Sequence, residues 1–144
     1  MGFITFAQSD KMEWFGDAKL GIFIHWGVYA VDGTDESWAF YNKKISYPDY
    51  MSQLPRFSAS HYDPKKWVDL IHFSGAKYAV LTSKHHDGVA LWNTQQSQRE
   101  KELPLSIPAR SAAKADVFTP FAKELKSQGL KLGVYYSILD WSHP

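Results

Sequence analysis

The sequence predicts an α/β fold in which three parallel strands are joined by two main helices lying on one side of a single sheet. Three observations carry that reading. Short apolar runs recur at Leu20-Gly21-Ile22-Phe23-Ile24-His25-Trp26, Tyr78-Ala79-Val80-Leu81-Thr82-Ser83 and Leu132-Gly133-Val134-Tyr135-Tyr136-Ser137. Two segments of helical period, each with start and stop signals, separate them. Strand–helix–strand connections are right-handed, which puts both helices on the same face.

Taken in order, the first run is apolar throughout and turns polar at its end, as suits a strand buried on both faces. The stretch 31–57 is rich in Asp, Ser, Tyr and Pro without a clear period, and reads as a long decorated loop with a short helix around 48–54. Asp63 then supplies an N-cap, Pro64 the first helical position and Gly75 a stop. Between them Trp67, Leu70, Ile71 and Ser74 recur at helical spacing. The second strand ends in Lys84-His85-His86-Asp87-Gly88. A polar stretch, 93–110, leads to a helix capped by Asp116, with Phe118, Phe121, Ala122 and Leu125 on one face and Gly129 at its end. The third strand follows.

The 144 residues have room for one compact domain, read as 1–144. Lys+Arg 16 against Asp+Glu 15 leaves a net charge of +1, which removes the electrostatic case for a nucleic-acid or anionic-membrane partner. Cys 0 excludes a disulfide framework, a thiol nucleophile and a thiolate metal site. No apolar run approaches the ~20 residues of a spanning helix. The first residues lack the pattern of a signal peptide, so the expected location is cytoplasmic. Aromatic content of 16% implies an aromatic core or flat apolar faces offered to a ligand.

The layout looks unfinished. Complete α/β barrels take about 250 residues, and three strands covered on one side leave the other face and both edges open. The expectation is that the chain self-associates, or pairs with a second part, to cover that surface.

Ligands of parallel α/β sheets bind at the carboxyl ends of the strands. Those ends carry His25-Trp26-Gly27, Lys84-His85-His86-Asp87-Gly88, and Tyr135-Tyr136-Ser137 with Asp140-Trp141. Each piece has a plainer reading: His25 closing a buried strand, the tyrosines packing, and Trp38, Trp92 and Trp141 in the core. Together they suit a neutral polyol, whose hydroxyls want His, Tyr and Asp and whose C–H face wants a ring. Neither a Gly-rich loop with an Arg cluster for phosphate nor a strand–turn–helix elbow for a nucleophilic Ser is present. The His spacing is not that of a metal site, and no metal or cofactor is expected.

The run Trp14-Phe15-Gly16-Asp17-Ala18-Lys19-Leu20-Gly21-Ile22-Phe23-Ile24-His25-Trp26-Gly27 resembles the opening strand of the α-L-fucosidases, retaining glycoside hydrolases with a (β/α)8-like catalytic barrel. Glu36-Ser37-Trp38, Ala76-Lys77-Tyr78, Lys84-His85-His86-Asp87-Gly88 and the segment 129–137 follow in the family's order. The resemblance runs from about Lys11 to the end and matches the first third of a typical member. It implies a partial (β/α)8-type barrel and an α-L-fucosidase-type glycosidase that takes fucose or a fucosylated glycan. It further implies fucose binding by His25, Trp38, His85, His86 and one of Tyr135 and Tyr136, with a contribution from Glu36. Many relatives carry a Glu directly before the tryptophan; here Ser37 stands there and Glu36 one residue earlier.

Retaining hydrolysis uses two carboxyl groups about 5–5.5 Å apart. The resemblance places both beyond Pro144, so turnover by these residues alone is expected to be weak or absent. Asp87 and Asp140 are the carboxylates at hand, although Asp87 also suits a turn cap before Gly88 and Asp140 a loop brace. The alternative is a non-catalytic fucose-binding, or vestigial, half-barrel that folds as a homo-oligomer. A metal-dependent hydrolase using His25, His85 and His86 is a further class.

Overall fold

The computed structural model describes residues 10–94 and 104–142. Part of the polar stretch 93–110 therefore lies outside the described residues. Helix α1 (Asp10–Ala18) precedes β1 (Gly21–Ile24). Short helices α2 (Trp38–Tyr41) and α3 (Tyr47–Met51) follow, then α4 (Pro64–Phe73) and β2 (Tyr78–Lys84). The chain continues through α5 (Ile107–Arg110), α6 (Phe118–Ser127) and β3 (Lys131–Tyr136). The three strands form one parallel sheet with β2 in the middle.

Both main helices begin and end where local chemistry dictates. Asp63 accepts from Lys66 N ahead of Pro64, satisfying an amide that has no partner inside the helix. Asp116 accepts from Phe118 N and Thr119 N at the start of α6. Gly75 (φ +82°) and Gly129 (φ +72°) end the two helices in the left-handed region, where a Cβ is costly.

Val68 and Ile71 of α4, Phe121 and Leu125 of α6, and Ala79 and Leu81 of β2 form one buried cluster, with Ile22 and Ile24 against it. Both helices thus cover the same sheet face. Leu70 departs from the spacing argument: it is 68% exposed, and Val68 is buried in its stead.

The opposite face carries Phe23, Tyr78, Val80 and Tyr135, by strand alternation and register. Tyr78 lies across Gly21, where an added Cβ would fall 2.1 Å from its ring, and Val80 crowds Gly133 in the same way. Trp14 and Phe15 of α1 pack edgewise and tilted on Tyr78 beneath the strands. Phe23 nonetheless remains 54% exposed, so β1 is covered on one face and not on both. Leu132 and Val134 of the edge strand β3 stay open on the helix side.

The segment 31–57, expected as a loop with a short helix around 48–54, is more structured. It folds into α2, α3 and a 3-10 turn at Leu54–Arg56. Its Ala39, Tyr50, Leu54 and Phe57 build a second core with Val28, Tyr29, Val89, Leu91 and Ile107. That core sits over the strand ends and ties α3 to the turn that follows β2.

Candidate functional site

Pairing of β2 with β3 is regular until Thr82 faces Tyr135; then Lys84 faces Tyr136, leaving Ser83 as one extra residue. Such a bulge bends a strand and re-aims the residues after it. It sends Lys84 to the Tyr136 side, with Nζ 5.2 Å from that ring. His85 instead stacks on Tyr135 at 5.5 Å and 17°.

His25, at the end of β1, meets His85 edgewise at 5.0 Å and stacks on Tyr29 at 5.3 Å. His86 lies 4.6 Å from His85 and 4.2 Å from Trp141. Trp38 of α2 closes the group against Trp141 at 4.9 Å and His86 at 6.1 Å. His25, Trp38, His85, His86 and Tyr135 therefore converge on one wall, joined by Tyr29 and Trp141. Tyr136 does not converge; it sits over Lys84 and beside Trp92.

Both imidazoles after β2 are held on Nδ1 by a serine. Ser37 Oγ lies 2.7 Å from His85 Nδ1, and Ser137 Oγ hydrogen-bonds His86 Nδ1. Ser37 is fully buried, so it is this residue, and not the half-buried Glu36, that touches the histidine. Sequence reasoning missed Ser37, Ser137 and Tyr29. The one available signal was Ser37 standing where relatives carry a Glu. Burial, with the neighbouring His86 and His25 adding repulsion, lowers the His85 pKa to about 4, so its ring is neutral at physiological pH.

Neither candidate carboxylate is free for chemistry. Asp87 is 2% exposed, with Oδ2 accepting from Tyr50 OH at 2.6 Å and Oδ1 from Val89 N at 2.9 Å. Burial pushes its carboxyl up to about 6. Asp140 takes Lys84 Nζ at 3.2 Å and Ser142 N at 3.0 Å. Burial opposes its charge, but the Ser142 hydroxyl and the Lys84 ammonium more than offset that and hold it below the usual range. Gly88 (φ +81°) lets the turn pass close to Asp140, where an added Cβ would lie 2.8 Å from a carboxylate oxygen. Together with Trp141 N donating to His86 O and Ser137 N to Lys84 O, these contacts fasten the two strand-end loops together.

Among the described residues no three His, Asp or Glu side chains form a group able to hold a metal ion. No helix among them is long and apolar enough to cross a membrane. What the arrangement offers is imidazole nitrogens and a phenol for hydroxyls, beside indole faces for C–H groups.

The family model for alpha-L-fucosidase matches residues 5–144. The chain is 33% identical to the tissue alpha-L-fucosidase of Macaca fascicularis, over 92% of this chain and 30% of that protein. It is 32% identical to the alpha-L-fucosidase of Dictyostelium discoideum, over 91% and 32% of the two. Among solved structures, alpha-L-fucosidase isoenzyme 1 from Paenibacillus thiaminolyticus aligns with a TM-score of 0.82 at 36% identity, covering 93% of this chain and 30% of that one. A GH29 alpha-L-fucosidase from Bacteroides thetaiotaomicron aligns with a TM-score of 0.82 at 27% identity, covering 96% and 32%. The chain thus spans only about a third of the length of these two relatives, 30% and 32%.

Proposed function

The chain belongs to the alpha-L-fucosidase family, and from that premise we propose that its residues form the fucose-recognising wall of an α-L-fucosidase site, part of a (β/α)8-type barrel. One observation carries the reading: His25, His85, His86 and Tyr135 meet at the carboxyl ends of three parallel strands, with Trp38 and Trp141 alongside. A neutral sugar is recognised by donors and acceptors that need not change charge, and His85 is held neutral by its surroundings. The methyl group of a deoxy-hexose finds an apolar surface in the indoles.

Cleavage with retention needs two reacting carboxyl groups. Asp87 is buried under Tyr50 and Asp140 is braced by Lys84 and Ser142. The proposal is therefore that the reacting carboxylates come from outside these 144 residues, and that turnover by these residues alone is weak or absent. Titration calorimetry with L-fucose tests the recognition: measurable heat that collapses in His25→Ala and His85→Ala supports it, and no heat at millimolar fucose sinks it. Incubation with a nitrophenyl α-L-fucoside tests the assignment of the carboxylates: no release of nitrophenol above buffer supports it, and release that Asp87→Asn or Asp140→Asn abolishes overturns it.

A second reading, a fucose-binding half-barrel that assembles with copies of itself, draws on the open apolar surface. Phe23, Leu132 and Val134 are 54%, 38% and 52% exposed, and β1 and β3 are both edges. Static light scattering decides it, since a clean monomer contradicts association.

A further inference from the structure

Of the three imidazoles of the wall, His86 has its proton arrangement set by a single hydroxyl. Ser137 is 5% exposed and sits directly after β3. Its backbone N donates to Lys84 O at 2.9 Å, so its position is fixed by the sheet. Its Oγ lies 2.7 Å from the carbonyl oxygen of Leu139 and also hydrogen-bonds His86 Nδ1. A serine hydroxyl has one proton. A carbonyl oxygen only accepts, so that proton goes to Leu139 O. The Ser137 oxygen is then left to accept, and His86 Nδ1 must be the donor. The reverse arrangement would face two lone pairs across 2.7 Å at Leu139. Among the described residues His86 Nε2 makes no hydrogen bond.

We propose that Ser137 is a positioning residue that holds His86 in the Nδ1–H tautomer, so that Nε2 presents a lone pair to the pocket and accepts a hydrogen bond from a ligand hydroxyl. This rests on the sugar-binding reading above and adds a polarity to it: His86 selects a hydroxyl able to donate at that point and rejects a ligand that presents only an acceptor there. Ser37, whose hydroxyl contacts His85 Nδ1 at 2.7 Å, has the Tyr50 phenol as its second partner.

The test begins without ligand. Nitrogen NMR on the 144-residue chain labelled with ¹⁵N-histidine, near pH 8, reads which ring nitrogen of His86 carries the proton. The assignment comes from the signal lost in His86→Gln. The expected result is a protonated Nδ1 in the wild type, a shift towards the Nε2–H form in Ser137→Ala, and restoration in Ser137→Thr, which keeps the hydroxyl. A protonated Nε2 in the wild type, or an unchanged tautomer in a folded Ser137→Ala, overturns the proposal. Should Ser137→Ala fail to fold, the wild-type tautomer and Ser137→Thr still decide it. Fucose titration is a separate arm: loss of the hydroxyl should weaken binding about tenfold, the scale of one net hydrogen bond. Absence of fucose binding in the wild type removes the sugar reading and leaves the tautomer measurement standing.

Discussion

Asp87 offers a direct measure of how strongly the second core buries a charge. Its carboxyl moves from 3.8 to about 6, chiefly because burial penalises the ionised form. The native state therefore binds this proton more tightly than the unfolded state. The favourable contribution is fully present below 3.8 and is lost as pH rises through 6. The whole interval corresponds to about 3 kcal/mol, and the part falling between pH 4 and 7 to about 2 kcal/mol. His85 acts in the opposite sense over much of the same window. Its folded value of about 4 lies below its ordinary 6.5, so its contribution is present above 6.5 and fades as pH falls towards 4. A wild-type pH profile alone would mix the two. Asp87→Asn separates them, because the charges acting on His85 are those of His86 and His25. Urea unfolding of both proteins at pH 4, 5, 6 and 7 should show the wild type losing about 2 kcal/mol relative to the variant from pH 4 to 7, on the order of 1 M in midpoint. A difference that stays constant across that range refutes the argument that Asp87 titrates while buried.

Tyr50→Phe removes the phenol that donates to Asp87 Oδ2 and should cost about 1–3 kcal/mol, read from the same urea midpoints. Gly88→Ala forces a Cβ onto a left-handed residue and against the Asp140 carboxylate; it should destabilise by about 1–3 kcal/mol and change the near-UV circular dichroism that Trp141 contributes. Lys84→Met strands Asp140 without its cation. Since Asp140 is only partly buried, about 1–2 kcal/mol is expected rather than the full cost of breaking a buried pair. Asp140→Asn added to Lys84→Met should then cost less than the sum of the single changes, as a double-mutant cycle will show.

The strands were legible because each is an apolar run closed by glycine or a polar cluster, and α4 and α6 because Asp63 and Asp116 announce them. Helix α1 was not read: nine residues broken by Gly16 fall short of the window in which helical period stands out. Of the short helices of 31–57 only the one around 48–54 was read, and α2 was not, since three to five residues complete barely one turn. Five of the pocket candidates gather as the strand-end argument requires. Strand alternation puts Tyr135 and Tyr136 on opposite sides, but which of them meets His85 depends on the extra residue on β2, and nothing in strand spacing reveals a bulge. Ser37 and Ser137 reach their histidines across 48 and 51 residues of chain. A hydroxyl leaves no periodic trace of such a contact, so tertiary packing alone discloses it.

The extra residue at Ser83 has a bearing on engineering. Transplanting the histidine pair onto another parallel strand by copying its letters would exchange inner and outer sides for every position beyond the graft, pointing lysine inward and an imidazole outward. The irregularity has to travel with the motif. By the same token, trimming β2 to an ideal ladder would leave the sheet paired while turning the recognition wall inside out.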